Sequence, residues 1–378
     1  MFIEDELASL KQQGLYRSLK TIEKTDGRTV TIDGKSYLNF CSNNYLGLAN
    51  HPQVLAAARS AIDEYGAGAG ASRLISGNLV LHEKLEQKIA EFKKREAAIV
   101  YPTGYMANLG VISALTDEKD TILIDRLDHA SIIDACKLSR AKLQVFPHQD
   151  MKALEKLLGR SQSFNKRLIV TDSVFSMDGD LAPLPEILDL AKKYRSLVMI
   201  DEAHATGVLG KTGRGLEEHF NCEGRTDIVM GTLSKAVGSF GGFVAGPKNL
   251  IDYLRNKSRS FIYTTALPPA SCAAALAVLE LIENDSTFLE RLRENLKYLH
   301  ALRSTLCAPS PIIPIILGSA EKAVEISQQL FARGILLSAI RPPTVPQGQS
   351  RLRLTICSKH TKEDLACLAS SLRELIPA

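Results

Sequence analysis

Leu197-Val-Met-Ile-Asp-Glu-Ala-His204 opens with four apolar residues and turns abruptly to two carboxylates and an imidazole. A run that is apolar at every position suits a strand covered on both faces, as in a parallel sheet packed between helices. Comparable runs recur at Ala97–Tyr101, Thr121–Asp125, Leu143–Phe146, Arg167–Asp172, Ile228–Thr232 and Gly242–Ala245, with helical spacing between them. Alternation of this kind predicts a wound α/β sheet of about seven strands, whose polar strand tips are the first places to look for a ligand site.

Working outward, Glu4–Leu19 carries helical apolar spacing, and Thr29–Phe40 reads as a hairpin turning at Asp33-Gly34. Helical spacing over Pro52–Tyr65 and His82–Lys94 flanks a glycine-rich stretch, Gly66-Ala-Gly-Ala-Gly-Ala-Ser-Arg73. That stretch follows a helix rather than a strand and has no Gly-Lys-Ser/Thr behind it, which argues against a nucleotide-phosphate loop. After Pro268-Pro269 the pattern predicts helices to about Ile282 and over Phe288–Leu302, then strands at Ile312–Leu317 and Arg351–Ile356 with helices near Lys322–Arg333 and Thr361–Leu375. The expected layout is an N-terminal helix and hairpin (1–40), a large α/β domain (41–268) and a smaller C-terminal α+β domain (269–378).

Composition narrows the function classes. Of the 378 residues 45% are apolar and 23% charged, an ordinary globular balance. No apolar stretch is long enough to span a bilayer, and Glu4, Asp5 and Glu6 stand where a secretory signal would carry Lys or Arg, so a cytoplasmic protein is expected. Seven scattered cysteines without a C-x-x-C pair fit reduced thiols better than disulfides or a zinc site. The net charge of +4 is dispersed, so neither nucleic acid nor a membrane is an expected partner, and no metal is expected.

Four strand tips carry chemistry-bearing residues. Asp201 is either a helix N-cap or a partner for a protonated ring nitrogen. Lys235, in Gly231-Thr-Leu-Ser-Lys-Ala-Val-Gly238, is either a solvated lysine or an amine held where its pKa can be lowered, with Thr232 and Ser234 offering hydroxyls to a phosphate. Gly104 and Tyr105 open a helix whose free N–H groups can receive an anion. His129 follows the Thr121–Asp125 strand, placed to stack on a planar ligand or simply to fill the core.

Taken together, the order Gly104-Tyr105, His129, Asp201 with His204, and Lys235 resembles the fold-type I pyridoxal-phosphate (PLP) enzymes, and within them the α-oxoamine synthase family. The resemblance extends over nearly the whole chain through Asn43-Asn-Tyr-Leu-Gly47, Ala71-Ser-Arg-Leu-Ile-Ser-Gly-Asn78, Val174-Phe-Ser-Met-Asp-Gly-Asp180, Asp201-Glu-Ala-His-Ala-Thr-Gly207 and Gly231-Thr-Leu-Ser-Lys235. It implies PLP bound covalently through Lys235, a ring-nitrogen partner in Asp201 and a ring stack from His129. His204 and Ser176 would contact the phenolic-oxygen side, and Thr232 with the Gly104 and Tyr105 amides would hold the phosphate. It also implies a homodimer with shared sites, Thr264 or Thr265 completing the neighbour's phosphate cup. Arg353, rather than Arg351, matches the arginine that grips the amino-acid carboxylate, and Asn43, His129 and Thr355 are further substrate contacts.

Members of this family join an amino acid to an acyl thioester with loss of carbon dioxide. Ile340-Arg-Pro-Pro-Thr-Val-Pro346 and Leu15-Tyr-Arg17 resemble the branch that condenses L-alanine with pimeloyl-CoA or a pimeloyl-acyl carrier protein, Arg17 matching a substrate contact there. The glycine-using relatives, 2-amino-3-ketobutyrate CoA ligase and 5-aminolevulinate synthase, are the alternatives. A non-catalytic paralogue subunit is a further one, against which the joint presence of Lys235, Asp201 and His129 argues.

Overall fold

The seven apolar runs form one sheet. In the computed structural model, which describes residues 2–13, 15–302, 306 and 308–376, its order is Ala97–Tyr101, Gly242–Gly246, Ile228–Thr232, Leu197–Asp201, Arg167–Asp172, Thr121–Asp125, Lys142–Phe146. The last five strands in that order are parallel to one another. Gly242–Gly246 runs antiparallel to both neighbours. Residues 233–241, which lead into it, are fewer than the dozen or so a parallel crossover requires, so the strand must return in the opposite sense. Ile122, Ile124, Leu168, Val170, Met199 and Met230 all enter a single core with the helices Gly104–Leu115 and Ala130–Ser139.

The sheet belongs to a compact unit comprising Leu48–Ser176 and Asp180–Leu289, which includes the helix Pro269–Asn284. From Thr121–Asp125 the chain steps outward to Lys142–Phe146, whereas from Arg167–Asp172 it steps the other way to Leu197–Asp201. The order therefore reverses between Asp125 and Asp172, and a crevice opens at the carboxyl ends of the strands at such a switch point.

A second unit comprises Met1–Gly47, Met177–Gly179 and Glu290–Ala378, so the N-terminal segment and the C-terminal part fold together. It holds an antiparallel sheet of Ile312–Gly318, Ser350–Thr355 and Ala339–Ile340. The hairpin Thr29–Ile32/Lys35–Asn39 turns at Asp33-Gly34 as expected and is extended by Ile335–Leu336, a pairing across the length of the chain. The first helix is shorter than its apolar spacing predicts: it covers Phe2–Gln12, buries no side chain, and Leu19 is fully exposed. Cys307 lies outside the described residues; the other six cysteines are unpaired thiols. Among the described residues no helix is long and apolar enough to cross a membrane.

Candidate active site

The switch point opens into a cavity of about 230 Å³ whose wall includes Gly104, His129, Asp201, His204, Thr232 and Lys235, together with Tyr105 and Ser176. Every sequence-predicted cofactor residue except Thr264 and Thr265 is therefore brought together. Those two border a separate small hollow beside Arg73, Tyr101 and Phe261.

Lys235 lies in the 233–241 loop, and the Gly238 N–H donates to its carbonyl at 2.9 Å. Gly238 has φ +64°, and a Cβ there would stand 2.7 Å from the Ala49 nitrogen, so this turn has room only for glycine. The Lys235 amine is 2.9 Å from His204 Nε2. Close by, Thr232 donates its hydroxyl proton to the Gly241 carbonyl at 2.9 Å and receives the Ser234 hydroxyl at 2.8 Å.

The helix Gly104–Leu115 starts on the cavity wall. Thr103 caps it by accepting the Met106 N–H at 3.1 Å, which leaves the Gly104 and Tyr105 amides at the positive end of the helix dipole. A Cβ at Gly242 would lie 2.6 Å from the Gly104 nitrogen, so glycine in that strand lets the helix start come this close to the sheet.

Asp201 ends its strand buried, with Oδ2 accepting from Asn108 Nδ2 at 2.8 Å and Oδ1 from the Ala203 N–H at 2.9 Å. The same Asn108 amide donates to Ser131 Oγ at 2.8 Å, and Ser131 Oγ lies 2.7 Å from His129 Nδ1. Burial lowers the His129 pKa against the opposing field of Asp201, which keeps the ring a neutral imidazole. Its Nδ1 accepts the Ser131 N–H at 3.3 Å, so the ring proton sits on Nε2. Asp172 borders the cavity as well, with its carboxyl pushed well above the usual range by burial and then by Asp201 and Asp128.

These groups fit pyridoxal phosphate. A buried carboxylate suits a pyridinium nitrogen, a flat neutral imidazole suits the ring face, a helix start with hydroxyls suits a phosphate, and an amine beside an imidazole suits an aldehyde. Asn108 Oδ1 is buried with no hydrogen-bond partner among the described residues, an acceptor left over on the cavity wall.

The second unit carries the other predicted residues. Arg353 donates from Nη1 to Asn43 Oδ1 and to Thr355 Oγ1, both at 3.2 Å, and Tyr45 donates its hydroxyl to the same Asn43 oxygen at 3.2 Å. Burial pushes the Tyr45 phenol up to about 12, so it stays a donor. Arg351, by contrast, is occupied by Asp178 Oδ1 at 2.6 Å and the Met177 carbonyl at 3.1 Å. Arg17 reaches Thr344 Oγ1 at 3.4 Å, which joins the Leu15–Arg17 segment to the Ile340–Pro346 segment. Asn108, Asp172 and Tyr45 received no role from sequence reasoning. Asp172 ends a predicted strand and was findable by that rule, whereas Asn108 is hidden inside an apolar helix.

A family model described as aminotransferase class I and II matches residues 35–372. An 8-amino-7-oxononanoate synthase of Thermoanaerobacter pseudethanolicus is 46% identical over 370 residues, 96% of this chain and 94% of that protein. Its namesake from Citrifermentans bemidjiense is 49% identical over 380 residues, 98% and 97% of the two chains. A solved serine palmitoyltransferase with PLP superposes with a TM-score of 0.93 at 33% identity, over 99% of this chain and 97% of that one. The chain belongs to the class I and II aminotransferase family and, within it, to the 8-amino-7-oxononanoate synthases.

Proposed function

We propose that the chain is a PLP-dependent acyltransferase of biotin synthesis that condenses L-alanine with a pimeloyl thioester, of CoA or acyl carrier protein, to 8-amino-7-oxononanoate, free thiol and carbon dioxide. The observation that carries this reading is the convergence of Lys235, His204, Asp201 and His129 on one cavity at the strand ends. Near half identity to synthases of that name supports the choice of branch.

Bound PLP supplies an electron sink for the charge that develops at the amino acid α-carbon. Asp201, held by Asn108 and the Ala203 N–H, keeps a proton on the ring nitrogen. His129, whose imidazole burial favours in the neutral form, would stack on the ring face. The Gly104 and Tyr105 amides and Thr232 would hold the phosphate, and His204 and Ser176 would contact the phenolic-oxygen side. Arg353 takes the alanine carboxylate, since a guanidinium donates two parallel hydrogen bonds to that planar anion; Asn43 and Thr355 orient it. The Lys235 amine, steadied by His204, moves the α-proton. In the net exchange the acyl group takes the place of the α-carboxylate, which leaves as carbon dioxide while the thiol is released, and Lys235 would return a proton to the α-carbon. Arg17 serves the acyl chain. In the homodimer we propose, Thr264 and Thr265 complete the phosphate site of the neighbouring subunit, which accounts for their position away from the cavity of their own chain.

The test offers the PLP-loaded protein alanine, glycine or serine, each with pimeloyl, succinyl or acetyl thioesters, and follows thiol release. Alanine with a pimeloyl thioester should be fastest. Each buried methylene contributes about 0.8 kcal/mol, so several separate a seven-carbon chain from acetate by orders of magnitude. Fastest release with glycine and a short acyl-CoA would move the chain to a glycine-using branch.

A further inference from the structure

We infer that His148 is a positioning residue, a protonated tie between Asp125 and Asp180 that holds His129 and Ser176 at their places on the cavity wall. His148 lies just beyond the edge strand Lys142–Phe146, whose Phe146 is paired in register with Asp125. Its Nδ1 is 3.0 Å from Asp125 Oδ1 and its Nε2 is 2.7 Å from Asp180 Oδ2. A neutral imidazole has one N–H and one lone pair, and the lone pair would face a carboxylate oxygen at hydrogen-bond distance. Both nitrogens therefore donate, and the ring is an imidazolium. The charged groups facing it are Asp125 and Asp180, and its other neighbours, Gln149 and Phe175, are neutral. Burial opposes the charge, but hydrogen bonds and the fields of the two carboxylates outweigh it and raise the imidazole to about 10.

Each of the two aspartates belongs to a segment that ends at the cavity, Asp125 holding its turn through the carboxylate and Asp180 holding its loop through the backbone carbonyl. Asp125 Oδ1 also accepts the Leu127 N–H at 2.9 Å, and the Asp125 N–H donates to Asp128 Oδ2 at 2.8 Å, which sets the turn carrying His129. On the other side, the Phe175 N–H donates to the Asp180 carbonyl at 3.1 Å, and Val174 bridges to Leu181, which closes the loop that presents Ser176. Phe175 stands edge-on to His148, its ring centroid 4.4 Å away at 90°. Gln149 reinforces the tie from the same corner: its N–H donates to Asp125 Oδ2 at 2.8 Å and its Nε2 to Asp180 Oδ2 at 2.6 Å. One charged ring thus adds a side-chain tie between two segments that continue the paired strands Thr121–Asp125 and Arg167–Asp172.

The inference rests on reading the Lys235 cavity as the PLP site, but two of its readouts do not. In the full-length protein with 13C-labelled histidine, the His148 ring should report as doubly protonated at about pH 8, far above the ordinary histidine range. His148→Gln donates from a single nitrogen and turns a carbonyl oxygen toward the other carboxylate. It should shift the His129 resonance, change the circular dichroism of bound PLP and lower kcat on the order of tenfold with KM for alanine little changed. Asp180→Asn leaves a neutral ring with both nitrogens partnered, because the asparagine amide can donate to Nε2 while Nδ1–H still donates to Asp125, and it gives up only the bond that Gln149 Nε2 makes to the same Asp180 oxygen. It should keep the wild-type His129 resonance and cofactor dichroism while His148 titrates near the ordinary range. A singly protonated His148 at that pH overturns the tie, as does a His148→Gln protein that differs only in melting temperature. If His148→Gln does not fold, the His148 protonation state in the wild type and in Asp180→Asn decides. Should the ring be doubly protonated and the His129 resonance move in a protein that binds no PLP, the tie stands and the cofactor reading fails.

Discussion

Asp172 and Asp201 are paired in register at the ends of neighbouring parallel strands, two carboxyl groups side by side at one cavity. They are not equivalent. Burial, then Asp201 and Asp128, push the Asp172 carboxyl well above its ordinary 3.8 and so favour its uncharged form, while Asp201 accepts two N–H donors. Charge is thereby concentrated on the residue assigned to the ring nitrogen. An ionic hydrogen bond contributes about 1.5–3 kcal/mol, so Asp201→Asn should lower kcat on the order of 10- to 100-fold. Asp172→Asn, which fixes the uncharged form that burial favours, should cost much less. It should also flatten the loss of stability at rising pH, because a carboxyl held neutral in the fold loses stability once pH exceeds its unfolded value. Equal activity losses in the two variants would refute this division of roles.

Arg351 and Arg353 differ in partner, and two variants separate them. Arg351→Met leaves Asp178 without its buried guanidinium and should cost on the order of 3 kcal/mol of stability, read by denaturant titration. Arg353→Lys loses the two-pronged grip on a carboxylate and should raise KM for alanine about tenfold with little change in stability. A raised KM in the Arg351 variant at unchanged stability would exchange the assignments.

The two arginines also mark where sequence reading stops. They are two apart on one strand, Ser350–Thr355, so their side chains leave the same face and spacing cannot distinguish them; only Asp178 and Asn43, both distant in sequence, do. The seven sheet strands were legible because burial on both faces leaves unbroken apolar runs such as Leu197–Ile200. Apolar spacing at Leu15 and Leu19, by contrast, extended the first helix past Gln12, because pattern alone does not supply a surface for that face to pack against. Lys235, His129 and Asp201 were legible from strand tips, whereas Asn108 was not: its role exists only because the helix Gly104–Leu115 packs beside the Leu197–Asp201 strand tip.

Lys235 should be the lysine that carries the cofactor. Its amine is on the cavity wall beside His204 Nε2, whereas Lys93, which is buried, donates to Glu202 and to Thr206 Oγ1. Borohydride reduction of the PLP-loaded protein followed by peptide mapping should place the label on Lys235, and Lys235→Ala should remain unlabelled. A label on another lysine would displace the assignment.

His360 should set the acid limit of stability. Its Nδ1 accepts the Cys357 N–H at 3.1 Å, its Nε2 donates to the Asn39 carbonyl at 3.1 Å, and its ring packs on Phe40 at 4.3 Å. Burial lowers its pKa from 6.5 to about 4. The sign follows from proton counting: below 6.5 the unfolded chain takes up a proton that the folded ring refuses until about pH 4. Stability from this group is therefore complete above 6.5, falls as pH drops, and levels off below about 4, a loss of roughly 3 kcal/mol in all. His360→Gln can present one donor or one acceptor at each end without taking up a proton. It should be less stable at pH 8 by the ordinary cost of a repacked core polar group, about 1–2 kcal/mol, yet show a shallower decline between pH 6.5 and 4. Urea titrations at pH 4, 5, 6, 7 and 8 measure both curves. Parallel declines in wild type and variant would assign the acid limit to other groups.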